Sequence, residues 1–256
     1  MQHTFTLAAW NFRLARRSLL ALWGIFAAQQ AAVILWRAAQ PGAAGLGLAS
    51  HYYDTMQIFV WLGFYLLTAL AAGAATHNSR RARSGYTWAT LPGTPGQKLA
   101  AKAITIAAAE LVFAAWQLVW YIVEFYPVTA LEGWHRRQMY GAVLPAANLY
   151  EQVVANNLFA RLLPRRPAQI VILLGILALS AAMLAALDTV RGWRKLPVFA
   201  SGLFCAWVCF GIVGIEPHLE WLLDEPRYAF RIAAAAVLAV LTVWWAVRSI
   251  RRGEAA

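Results

Sequence analysis

The sequence predicts an all-α integral membrane protein, and three observations carry that class. Only 13% of the 256 residues are charged while 61% are apolar, mean hydropathy is +0.55, and six apolar runs reach membrane-spanning length. A soluble domain carries roughly a quarter charged residues to wet its surface. Half that excludes a water-soluble enzyme, and the apolar content excludes a disordered chain. Alternating ten-residue segments of a membrane barrel are absent, so the runs are helices.

Residues 4–17 interleave Phe5, Leu7, Trp10, Phe12 and Leu14 with Asn11, Arg13, Arg16 and Arg17. A basic, aromatic-rich helix of this kind lies in the headgroup layer, so an amphipathic interfacial helix that turns into the first span is expected, against the alternative of a simple cytoplasmic extension of that span. A hydrocarbon core about 30 Å thick takes roughly 20 helical residues. Residues 18–36 and 56–76 meet that length without a charge, and 103–123 holds one acid, Glu110. Residues 168–187 and 196–215 are clean apolar runs, and 228–247 is interrupted only by Arg231. The start has the general form of a signal peptide, but its apolar run reaches Trp36 without a small-residue cleavage site, which favours an uncleaved first span. Cys205 and Cys209, one helical turn apart, are read as small packing residues.

The charges orient these spans. Segments 1–17, 77–102, 188–195 and 248–256 hold 14 Lys and Arg against two acids, Asp188 and Glu254. The intervening segments balance eight basic residues with eight acidic ones, apart from Glu110, which lies within a span. Basic residues collect on the cytoplasmic side, so both termini are expected there. The net charge of +11 is then a cytoplasmic face and no nucleic-acid footprint. The outer loop, 126–167, includes an amphipathic pattern over 146–163 (Leu149, Val153, Leu158, Leu162), read as a helix capping the outer face. The last outer loop, 216–227, is short and acidic.

The cytoplasmic loop 77–102 is the densest in information. It contains RRARSGYTWATLPGTPGQKLAAK, residues 80–102: an Arg cluster, the aromatic pair Tyr86 and Trp88, and a turn of alternating Pro and Gly. Such punctuation ends one short helix and starts the next. Two readings of this loop stand, a docking surface for a cytoplasmic partner and an Arg cluster for anionic headgroups. Its Gly-Thr-Pro-Gly-Gln-Lys stretch lacks the spacing of a phosphate loop, and Pro95 removes an amide that the cradle needs, so ATP binding by this chain is excluded.

Within the spans, an acid costs roughly 3 kcal/mol on insertion scales, which makes Glu110 a functional candidate. Glu110, Gln117 and Glu124 follow at seven-residue intervals on one helix face, and Gln29 and Gln30 add polarity to the first span. Glu110, Gln117, Gln29 and Gln30 are candidates for a translocation path, against a polar contact that holds helices together. Glu124 reads as an interfacial acid. The five His show no metal-ligand spacing, and no nucleophile or acid–base set appears.

The order of basic amphipathic start, two spans, this cytoplasmic loop and four further spans resembles the type-2 permease family, the membrane subunits of bacterial ATP-binding-cassette (ABC) exporters. The resemblance rests on Leu91, Pro92, Gly93, Thr94, Gly96, Gln97, Lys98 and Lys102, preceded by Arg80, Arg81 and Arg83. It covers about thirty residues in motif. The outer loop is longer than in many members, and the acidic residue usual beside the coupling segment is absent. The resemblance implies a permease in the bacterial cytoplasmic membrane that hydrolyses nothing itself. It would form a dimer with itself or a sister permease and dock a separate ATPase subunit, which binds the ATP. Arg80, Arg81, Arg83, Tyr86, Trp88, Leu91, Pro92, Gly96, Lys98 and Lys102 would form the coupling surface. The rival reading is a non-transporting membrane protein, such as an immunity, sensor or assembly subunit.

Overall fold

The computed structural model describes residues 2–40, 42, 46–75, 90–141, 148–156, 158–159, 167–190, 192–214 and 226–252. Within these, the side chains at 2, 167–169, 171–172, 194, 206, 209–214, 226–229 and 232 are not described. The described residues form helices and no strand. These are α1 (Gln2–Ala38), α2 (Leu48–Asp54), α3 (Gln57–Ala74), α4 (Pro95–Tyr140), α5 (Leu149–Ala155), α6 (Pro167–Thr189), α7 (Lys195–Gly214) and α8 (Pro226–Arg251), with a 3₁₀ turn at Gly192–Arg194. Helices occupy all six stretches expected to span. Of these, α1, α3, α4 and α8 are long and apolar enough to cross a membrane, while α6 and α7 are apolar over the shorter stretches Leu173–Thr189 and Lys195–Cys205. Leu20, Ile25, Phe59, Val119 and Val240 are all more than half exposed. Apolar surface on so many helices is the build of a multi-pass membrane protein.

Three expectations change. The interfacial segment and the first span form one uninterrupted helix, α1, where a turn between them was expected. The first glycine after the start is Gly24 and no proline precedes it, so nothing breaks the backbone ladder.

Residues 126–140, placed in a loop, continue α4 to 46 residues. Phe113, Gln117, Tyr121, Glu124, Val128, Glu132 and His135 are all buried, at helical spacing of three and four. That stripe continues past Pro127, which lies inside the helix and removes a single backbone donor. At 1.5 Å per residue α4 is about 69 Å long, more than twice a hydrocarbon core, so its ends stand outside the 103–123 span.

The helix expected over 146–163 is interrupted: α5 stops at Ala155, residues 158–159 are again helical, and 146–147, 157 and 160–163 lie outside the described residues. Asn148 and Glu151 form a capping box at its start. At its end the Asn156 side chain accepts the Leu158 N–H at 2.9 Å, a local bond that competes with the helix. Residues 76–89 and 215–225, which include the Arg cluster and most of the acidic outer loop, lie outside the described residues, as do Arg161, Arg165 and Arg166.

The chain divides into two compact units. One comprises Ser18–Thr68 and Leu111–Ile170. Its core sets Phe26 against Phe64 and Phe113 at 5.0 and 5.2 Å, and packs Ile34, Leu48, Tyr52, Tyr121, Val128 and Phe159 together. The other comprises Met1–Arg17, Ala69–Glu110 and Val171–Ala256. There α7 packs on α8 through Cys205, Val208 and Ala235, with Met183 of α6. Cys205 is a free, buried thiol in this core, while the Cys209 side chain lies outside the description.

Gly47 starts α2 with φ +79°, and a Cβ there would lie 2.7 Å from the Gln152 side chain. Gln152 accepts the Ala49 N–H at 3.0 Å. Gly47→Ala therefore strains the backbone and displaces a bonded side chain. We expect a loss of about 1–2 kcal/mol, measured by unfolding in mixed micelles.

Candidate functional site

The stripe on α4 and the short helix α2 build a buried polar site within the Ser18–Thr68/Leu111–Ile170 unit. Helix α2 presents His51 and Tyr52 inward, and both are buried. The Tyr52 hydroxyl donates to Glu124 Oε2 at 2.7 Å and accepts from Gln117 Nε2 at 3.1 Å. Gln30 Nε2, from α1, also donates to the Tyr52 hydroxyl and reaches Glu124 Oε2 at 2.9 Å. Burial, with the Glu124 charge beside it, pushes the Tyr52 hydroxyl well above its ordinary range. It therefore keeps its proton and acts as the donor to the carboxylate.

A second acid lies two turns further along α4. Glu132 Oε1 accepts from His51 Nε2 at 2.8 Å and from the Gly47 N–H at 2.9 Å, and Oε2 accepts from Arg136 at 3.1 Å. Burial alone would raise this carboxyl, but the bonds from His51, Gly47 and Arg136 outweigh it and hold the acid below its ordinary value. Glu132 is nine residues past the 103–123 span. Tyr121 completes the arrangement by packing edge-on against Tyr52 and Phe159 while donating to Gln152 O at 2.9 Å. The two acids thus tie α1, α2 and α4 together, and the Tyr121 bond adds the α5 segment.

In the other compact unit, the Pro/Gly turn becomes the capped start of α4. Thr94 Oγ1 accepts the Gln97 N–H at 3.3 Å while Gln97 Oε1 accepts the Thr94 N–H at 2.9 Å. This reciprocal cap precedes Pro95 at the first helical position, where a missing N–H costs nothing. Gly93 has φ +142°, a conformation that favours glycine. Leu91 packs with Leu7, Ala8 and Ala101, and the Thr105 hydroxyl reaches Ala8 O at 3.2 Å. Lys102 forms a buried ion pair with Asp188 of α6. Seen from α3, a Cβ on Gly73 would stand 3.3 Å from the Asp188 carboxylate carbon, close enough that the carboxylate would have to shift slightly to admit it.

No protein-family model, curated protein or solved structure matches this chain. The site is read from its own geometry.

That geometry sorts the expected residues. Gln30 and Gln117 converge on Tyr52, together with Glu124, which the sequence presented as an interfacial acid only. Glu110 belongs to the other unit, where Ser180 Oγ lies 3.3 Å from its Oε2. Gln29 is partly buried, and its side-chain oxygen makes no hydrogen bond among the described residues. Leu91, Pro92, Gly96, Lys98 and Lys102 fall in the turn and the first turns of α4. Arg80, Arg81, Arg83, Tyr86 and Trp88 lie outside the described residues. Sequence reading missed Tyr52, His51 and Glu132. The seven-residue interval from Gln117 to Glu124 signalled one shared face, but nothing in the sequence paired that face with α2.

Proposed function

We propose that this chain is the membrane-spanning permease subunit of an ATP-driven ABC exporter. It has six spans, both termini on the cytoplasmic face of a bacterial plasma membrane, and an N-terminal segment at that face. It works as a dimer, with itself or a sister permease. A separate ATPase subunit binds and hydrolyses the ATP. The observation that carries this reading is the capped turn 91–95 at the head of a 46-residue helix. An ATPase transmits force only through a stiff element. Here the turn is fixed by a reciprocal cap, held to the N-terminal segment through Leu91 and Thr105, and tied to α6 by Lys102–Asp188. A push on the turn would reach three helices together.

The rival, a non-transporting immunity, sensor or assembly subunit, draws support from the Gln30–Tyr52–Glu124–Gln117 cluster, which cross-links helices as a packing device does. One experiment separates the two. The neighbouring reading frames are searched for a soluble Walker-motif ATPase, and the tagged chain is purified from cells co-expressing it; a locus without such a frame favours the rival. Wild type should retain the ATPase, and the triple reversal Arg80→Glu, Arg81→Glu, Arg83→Glu should retain about tenfold less, as loss of a few charge-assisted contacts implies. Reversal of Arg251 and Arg252 serves as the charge-matched control and should leave retention unchanged. A wild-type chain that retains no ATPase would sink the permease reading and favour the rival.

A further inference from the structure

The hydrogen-bond network around Glu124 is fully oriented, and its orientation leaves a surplus of one kind of atom. Tyr52 has a single hydroxyl proton, and it goes to Glu124 Oε2. The hydroxyl oxygen must then accept, so Gln117 and Gln30 both turn their amide nitrogens toward it. Gln30 Nε2 also serves the carboxylate, which fixes its flip a second time. What remains are the outward oxygens: Gln30 Oε1, Gln117 Oε1 and Glu124 Oε1, all buried and none with a hydrogen-bond partner among the described residues. Gln30 and Gln117 are fully buried and Glu124 is 3% exposed. The Trp120 indole N–H faces the carboxylate, but it too makes no hydrogen bond of good geometry.

The charge is likewise uncompensated. Every group bonded to Glu124 is neutral, while the Arg136 guanidinium and the His51 ring are both bonded to Glu132. A buried carboxylate surrounded by neutral donors and spare carbonyl oxygens needs a positive charge. A proton on Glu124 Oε1 can donate only once, so it would satisfy at most one of the glutamine oxygens. A small cation placed among the three oxygens would take lone pairs from each, and oxygen ligands of this hard type suit it. We propose that Gln30, Gln117 and Glu124 form a binding site for a small monovalent inorganic cation, closed by Tyr52. The site lies within one compact unit and does not depend on the ATPase.

The test uses the purified full-length chain in detergent, with thermal unfolding followed in NaCl, KCl, LiCl or choline chloride at equal ionic strength and fixed pH. One of the small cations should raise the midpoint by about 3–5 °C in a saturable way that choline does not reproduce. Glu124→Gln, which keeps the shape and an acceptor, should abolish the response. If that variant fails to fold, Gln117→Met should move the half-saturating concentration upward by about tenfold, the effect of losing one ligand. Identical midpoints in all four salts would overturn the site. So would a stabilisation that follows pH without any preference among cations, since that is the mark of a proton.

Discussion

Replacing Glu132 with alanine is expected to destabilise the chain by about 3 kcal/mol, the cost of removing one partner from a buried ion pair. The acid is 3% exposed and accepts three hydrogen bonds from three different places: the His51 ring, the Gly47 backbone and the Arg136 guanidinium. Alanine leaves all three donors facing a cavity, and His51 is itself fully buried. Glu132→Gln should cost roughly half as much, since its carbonyl still accepts from Gly47 and His51 while its amide meets Arg136 donor to donor. Reversible unfolding in mixed micelles measures both. Equal, near-zero losses would mean that α2 is not held by this acid.

The same group sets a pH dependence of fixed sign. The Glu132 carboxyl is held below its ordinary value in the folded chain. Its stabilisation is therefore complete above the unfolded carboxyl range, from about pH 5 upward, and is lost as pH falls through the lower folded value. Glu132→Gln removes that acid-side decline from the wild-type profile.

The elements of this fold were legible wherever hydrophobic run length decides them. Gln57–Ala74 lies within two residues at each end of the span read from composition, because an uncharged run admits one solution in lipid. Where polar residues are buried, run length misleads. Glu124, Glu132 and His135 made 126–140 look like a loop, although together with Tyr121 and Val128 they form one buried helical stripe. Glu124 and Glu132 find their partners Tyr52 and His51 on α2, a seven-residue helix too short to show periodicity. Lys102 was similarly read as a coupling cation from its place in the motif. Its partner Asp188 is 86 residues away and looked like a lone acid on a basic face. Local chemistry, by contrast, was readable: the Pro/Gly turn before α4 and its Thr94–Gln97 cap follow from residues within one turn of each other.

Lys102→Met is expected to cost about 3 kcal/mol, and adding Asp188→Leu should restore most of it. Lys102 and Asp188 form an ion pair with side chains 3% and 13% exposed, so the ammonium and the carboxylate have each given up most of their hydration. Removing one leaves the other charged in a site with little water, which is where the large single-variant loss comes from. Removing both exchanges two desolvated charges for apolar contact between α4 and α6, and such exchanges are often neutral in stability. A double-mutant cycle in mixed micelles should therefore give a coupling of about 2–3 kcal/mol, and additive losses would show that the two side chains act independently. The cycle also separates holding from transmitting. If the pair only holds α4 against α6, the double variant regains stability and, on the proposed permease reading, the stimulation of a partner ATPase as well. If the pair carries motion from the turn at Thr94 into α6, the double variant regains stability but not stimulation, because apolar side chains slide where a directional ion pair pulls.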